Sequence, residues 1–127
     1  MRVEKTLSSI KIGIFAGFSL LLWGANALAG EADIIKVNVD CSASLCNMQA
    51  TVLHEDSGWD HYADRWEVLN EDGEVIATRV LLHPHENEQP FTRGLQFKKP
   101  TGLQRVEVRA HDSVHQYGGK SVLVDLP

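Results

Sequence analysis

Val106–Leu126 reads VEVRAHDSVHQYGGKSVLVDL. Val106, Val108 and Ala110 alternate with Arg105, Glu107 and Arg109, and after Tyr117-Gly118-Gly119 the pattern resumes with Val122, Val124 and Leu126. A period of two sends successive side chains to opposite faces of a strand, so each run predicts a strand with one buried face. The loop between them is long and polar.

Upstream, strand and turn signals recur at roughly ten-residue spacing. Residues 33–41 offer Ile35, Val37 and Val39 to one face, and residues 46–55 offer Met48, Ala50 and Val52 against Asn47, Gln49 and Thr51. Residues 64–70 set Trp66 and Val68 against Arg65 and Glu67, and residues 75–83 and 91–98 complete the set. Asn70–Glu74 predicts a hairpin turn in which Gly73 takes positive φ. A polar loop follows over 83–90, and Pro100-Thr101-Gly102 turns the chain again. No ten-residue stretch of 30–127 carries helical periodicity. These signals predict an all-β domain, an immunoglobulin-like seven-stranded antiparallel β-sandwich with Trp66 as its core plug.

The start of the chain reads differently. Arg2, Lys5 and Lys11 precede an apolar run from Ile12 to Trp23, and Ala27-Leu28-Ala29 supplies small residues for cleavage. This is the pattern of a secretory signal peptide over residues 1–29, leaving 30–127 as one domain. The run is shorter than the about 20 apolar residues that a membrane span requires, so no membrane insertion is expected after processing. No cysteine follows it closely enough for lipid attachment. Without the leader the chain keeps nine Lys and Arg against sixteen Asp and Glu, a net charge of −7 with histidines neutral. Such a surface gains nothing from counterion release, so nucleic acid is not an expected partner. The chain is expected to be periplasmic or secreted, where Cys41 and Cys46 form a disulfide across a tight turn.

Val106–Leu126 resembles the last two strands of bacterial immunoglobulin-like and fibronectin-III-like modules. Gly58–Val68 (GWDHYADRWEV), Arg79–Arg93 (RVLLHPHENEQPFTR) and Arg109–Gly119 (RAHDSVHQYGG) carry a further resemblance, to a group of small exported bacterial proteins. It implies a fold and no established activity.

The up-and-down count of strands locates the histidines. If 46–55 runs upward, His54 ends it and His61 lies in the loop above; the chain descends, returns to His83 and His85, descends again, and climbs to His111 and His115. All six are therefore expected at one end, and the cysteines at the other. Loops gathered at one end of a rigid sandwich are a common place for binding groups. Imidazole suits copper and zinc, with nickel and iron behind them.

His83-Pro84-His85 places two rings on one side of an extended segment, and His111 is the expected third ligand. His54, His61, Asp112, Glu86 and His115 are candidates for further ligands or for the groups that orient them. Trp59, Tyr62 and Arg93 are candidates for a pocket wall. The expected function is a metal-binding carrier or accessory protein, with a metal ion or a periplasmic protein as partner. The alternative is a protein-interaction module in which histidines, carboxylates and tryptophan form a stiffening hydrogen-bond network without metal. No phosphate loop or nucleophile signature argues for an enzyme.

Overall fold

The computed structural model describes residues 2–5 and 30–127. Its strands are β1 (Arg2–Lys5), β2 (Asp33–Ser42), β3 (Leu45–Leu53), β4 (Ala63–Leu69), β5 (Val75–Val80), β6 (Phe91–Lys98), β7 (Arg105–Asp112) and β8 (Val122–Asp125). They form two antiparallel sheets, ordered β1-β2-β3-β6 and β5-β4-β7-β8. The all-β, two-sheet architecture agrees with the expectation. Arg2–Lys5 pairs along β2, with Arg2 opposite Asp40. The apolar run and the cleavage signal of the leader lie outside the described residues. No helix among the described residues is long and apolar enough to cross a membrane.

Period-two burial builds the core. Trp66 is fully buried on β4, and Val106, Val108 and Ala110 on β7 face it from the same sheet while Met48, Ala50 and Val52 line the opposite one. Truncating a buried tryptophan to alanine typically costs about 3–5 kcal/mol.

Two local expectations need correction. The register shifts between Ile34 and Lys36, so Ile34, rather than Ile35, is buried ahead of Val37 and Val39. A bulge adds one residue to a strand and thereby reverses the face of everything before it. β5 ends at Val80 instead of His83: Leu81 still donates to the Asp64 carbonyl and is buried, but Leu82 turns out to solvent. Pro84 restricts the residue before it and has no N–H to extend a ladder.

The short turns behave as read. Gly73 has φ +82°, and Asn70 Oδ1 accepts the N–H groups of Asp72 and Glu74. Cys41 and Cys46 sit opposite each other in β2 and β3 and are disulfide-bonded. Antiparallel order puts these turns at one end, with the β6–β7 turn. The β3–β4, β5–β6 and β7–β8 loops, and the start of β2, share the other.

Candidate metal centre

Strand parity brings two polar side chains into the mouth of the sandwich. His54 continues the inward series Met48, Ala50, Val52 just past β3, and Asp112 continues Val106, Val108, Ala110 at the end of β7. β3 and β7 belong to opposite sheets, so the two side chains close the core from both sides, His54 being 3 % exposed and Asp112 0 %. His61 arrives from the β3–β4 loop. A bridge between Gly58 and His61 tightens that loop, and Ser113 clamps it by donating its N–H to the Tyr62 carbonyl and accepting the Tyr62 N–H on Oγ.

Three ligand atoms converge there. His54 Nε2 lies 3.3 Å from His61 Nε2, His61 Nε2 lies 2.8 Å from Asp112 Oδ2, and His54 Nε2 lies 3.6 Å from the same oxygen. A circle through these three atoms has a radius of about 1.9 Å, so a point just off their plane is about 2.0–2.1 Å from each, the length of a zinc–imidazole bond. Ligands on a tetrahedral ion at that distance stand about 3.3 Å apart. The set is thus spaced as ligands of one small cation. Among the described residues, His54, His61 and Asp112 are the set of three that converges in this way.

The hydrogen bonds around Asp112 are lopsided. Oδ2 accepts from the His61 ring, from the His115 ring at 3.2 Å, and from the N–H groups of His115 and Val114 at 3.1 and 3.3 Å. Oδ1 is buried and has no partner. A fully buried carboxylate oxygen without a donor is costly, and Trp66 Nε1 and His85 Nδ1 are buried in the same condition. Burial opposes its ionisation, but the backbone N–H groups and the His115 ring outweigh burial and hold its pKa below the ordinary value.

His54 is oriented by Asp56. Its Nδ1 donates to Asp56 Oδ1 at 2.6 Å, while Ala63 and His85 donate backbone N–H groups to Asp56 Oδ1 and Oδ2 at 3.0 and 2.7 Å. This carboxylate–imidazole pair leaves Nε2 as the atom presented to the centre, an arrangement common behind metal-bound histidines. In the resting protein Nε2 lies 3.1 Å from the Gly30 carbonyl, to which its proton is donated. Burial lowers the His54 pKa; the bond to Asp56 and the charges of Asp56 and Asp112 more than offset it, and the net shift is upward. A cation at Nε2 would displace that proton.

The structure divides the expected His83/His85/His111 trio. His83 and His85 stay together, ring centroids 4.6 Å apart. They line an open cleft of about 540 Å³ with Trp59, Glu86 and Glu88. His85 stacks on Phe91 at 3.9 Å, its Nδ1 buried without a hydrogen bond and 3.9 Å from Asp56 Oδ2, and burial together with Arg93 and His83 lowers its pKa. His111 shares the parity of Arg109, away from Asp112; its Nδ1 pairs with Asp64 at 2.6 Å and its ring meets Tyr117. His115 touches the centre through Asp112 and packs on His61 at 4.9 Å.

Trp59 and Tyr62 meet edge to face at 5.5 Å, and Arg93 pairs with Glu88 at 3.1 Å. Sequence reasoning placed His61 among the candidate further ligands, and the structure sets its ring against Asp112. That reasoning missed Asp56 as the partner of His54. The signal was present, since residues i and i+2 of an extended segment share a side.

No family model and no solved structure matches the chain. Over 96 residues it is 38% identical to a protein of Halomicrobium mukohataei named "Putative lipoprotein". The match covers 75% of this chain and 47% of that protein, so the chain spans about half the length of the curated relative it matches.

Proposed function

We propose that this is an exported immunoglobulin-like domain that holds one transition-metal ion, copper or zinc, between His54, His61 and Asp112. The observation that carries it is the spacing of three ligand atoms, two buried and one partly exposed, from two sheets and a loop around one point. The Asp56–His54 pair supports it. Two imidazoles and a carboxylate suit divalent zinc or copper, and copper leads on intrinsic affinity. Burial suits a carrier, buffer or accessory protein more than a catalyst, which keeps a position open to substrate. His83 and His85 would stand at the cleft beside the centre, linked to it through Asp56, and would receive or pass the ion.

The leader would be removed after Ala29, leaving residues 30–127 periplasmic or secreted. The relative's printed name agrees with export. The immunoglobulin-like assignment is supported by a three-plus-four arrangement of β2–β8 around a buried tryptophan. The test of the centre is metal analysis of the exported protein, then titration of copper(II), zinc(II) and iron(II) into the metal-free form. Wild type should bind one ion at least about 100-fold more tightly than His54→Ala/His61→Ala, given the 10–100-fold loss typical of even indirect partners. Equal binding by the two proteins would end the proposal.

One observation favours a different class of function. Trp59, Leu82 and Val114 are 64 %, 77 % and 53 % exposed at the histidine end, an apolar fringe suited to a protein partner. On that reading a partner co-purifies without added metal and is lost on Trp59→Ala.

A further inference from the structure

We propose that removal of the leader turns Gly30 into a ligand of the metal centre, its newly freed α-amine joining His54, His61 and Asp112. This rests on the metal-binding reading above and adds to it a control by processing.

Residue 30 is already at the site. Its carbonyl oxygen is 3.1 Å from His54 Nε2, within the 2.8–3.6 Å range that separates the ligand atoms from one another. Standard backbone dimensions keep a residue's nitrogen within about 3.6 Å of its own carbonyl oxygen. The α-nitrogen is therefore confined to the neighbourhood of the centre, and nitrogen and oxygen together can close a five-membered ring on one ion. Before cleavage that nitrogen is the amide of an Ala29–Gly30 bond, its lone pair delocalised into the carbonyl. After cleavage between Ala29 and Gly30 it is a free amine, a donor of the same class as imidazole.

The segment behind Gly30 is fastened, so the terminus cannot wander. Ala32 is 1 % exposed and belongs to the core cluster. Ile34 donates its N–H to the Lys120 carbonyl, and Asp33 Oδ1 accepts the Lys120 N–H at 2.8 Å. Gly119 packs so closely that a Cβ there would overlap the Ala32 carbonyl. One residue, Glu31, separates this clamp from Gly30.

The experiment compares the processed protein, its mass showing Gly30 as first residue, with the same chain carrying two extra residues ahead of Gly30. Both are titrated with copper(II) and zinc(II) as the bare aquated ions. The extended chain should bind about tenfold or more weakly, because a tethered ligand acts at high effective concentration. A second measurement needs no variant: ¹⁵N-glycine labelling should change the nitrogen couplings in the electron paramagnetic resonance spectrum of the copper(II) protein. Equal affinity together with a spectrum blind to the label overturns the role of the amine, as does a mature terminus at another residue. If metal binding also ignores His54→Ala/His61→Ala, the centre itself fails and this proposal with it. If the double variant loses the ion while the extension changes nothing, only the amine is refuted.

Discussion

Asp112 and Glu67 are both carboxylates buried among basic side chains, and their surroundings differ in kind. Glu67 lies on the outward side of β4, where Arg65 and Arg109 each donate Nε–H to a separate oxygen at 2.9 Å. The Tyr117 hydroxyl lies 3.2 and 3.1 Å from the two oxygens, under the Arg109 guanidinium at 3.8 Å from the ring. Every oxygen has a partner, and two guanidiniums face the one carboxylate. At Asp112 one oxygen is crowded and the other has none. A saturated network is explained by the fold it stiffens. A lopsided one is explained by something the resting fold does not supply.

The comparison is sharpest at the two carboxylates of the centre. Asp112→Asn should lower metal affinity by about 100-fold or more, about 2.7 kcal/mol. The metal-free stability should fall by about 1–3 kcal/mol, because an amide oxygen still accepts from Val114 and His115 but without the charge that the fold favours. Calorimetric titration and urea unfolding read the two quantities separately. A variant that binds normally but unfolds easily would reverse the assignment and make Asp112 a structural residue. Asp56→Asn should weaken binding by a smaller factor, about 10–100-fold. Its new NH₂ group must face either the His54 ring or the His85 N–H, so one of the two bonds that hold the pair in place is lost. Wild-type affinity in this variant would show that the pair does not orient the ring for a metal.

Period two explains both what was legible and what was not. It located the strands of 30–127, the burial of Trp66 and the gathering of histidines at one end, because alternation and antiparallel order are local and cumulative. Applied one residue further it also points His54 and Asp112 inward and His111 outward. The His83-Pro84-His85 spacing is the stronger local ligand signal, and nothing local tells which loop will lie across the mouth of the sandwich. The bulge at Ile34 left no mark in composition, since Ile35 is equally apolar. Gly30 was invisible as a site residue: its part depends on a carbonyl, which every residue has, and on where β2 begins in space.

Glu67 supplies the counter-test, with a smaller effect. Glu67→Gln should leave metal affinity unchanged and lower stability by about 1–3 kcal/mol, the range for hydrogen bonds to charged groups. The pH dependence follows from the direction of its pKa. Burial opposes ionisation, but the bonds from Arg65, Arg109 and Tyr117 outweigh it, so the folded-state pKa lies below the ordinary value. The stability that Glu67 contributes over glutamine is then fully present above the unfolded pKa of about 4.3. It fades as pH falls through that value and is gone below the folded one. Asp56 and Asp112 are depressed in the same direction and weaken both proteins in acid, so only the difference between wild type and Glu67→Gln isolates Glu67. Urea midpoints of the two proteins should therefore converge from pH 6 to pH 3. A gap that stays constant over that range would mean the arginines hold Glu67 by shape alone, and saturation would no longer distinguish it from Asp112.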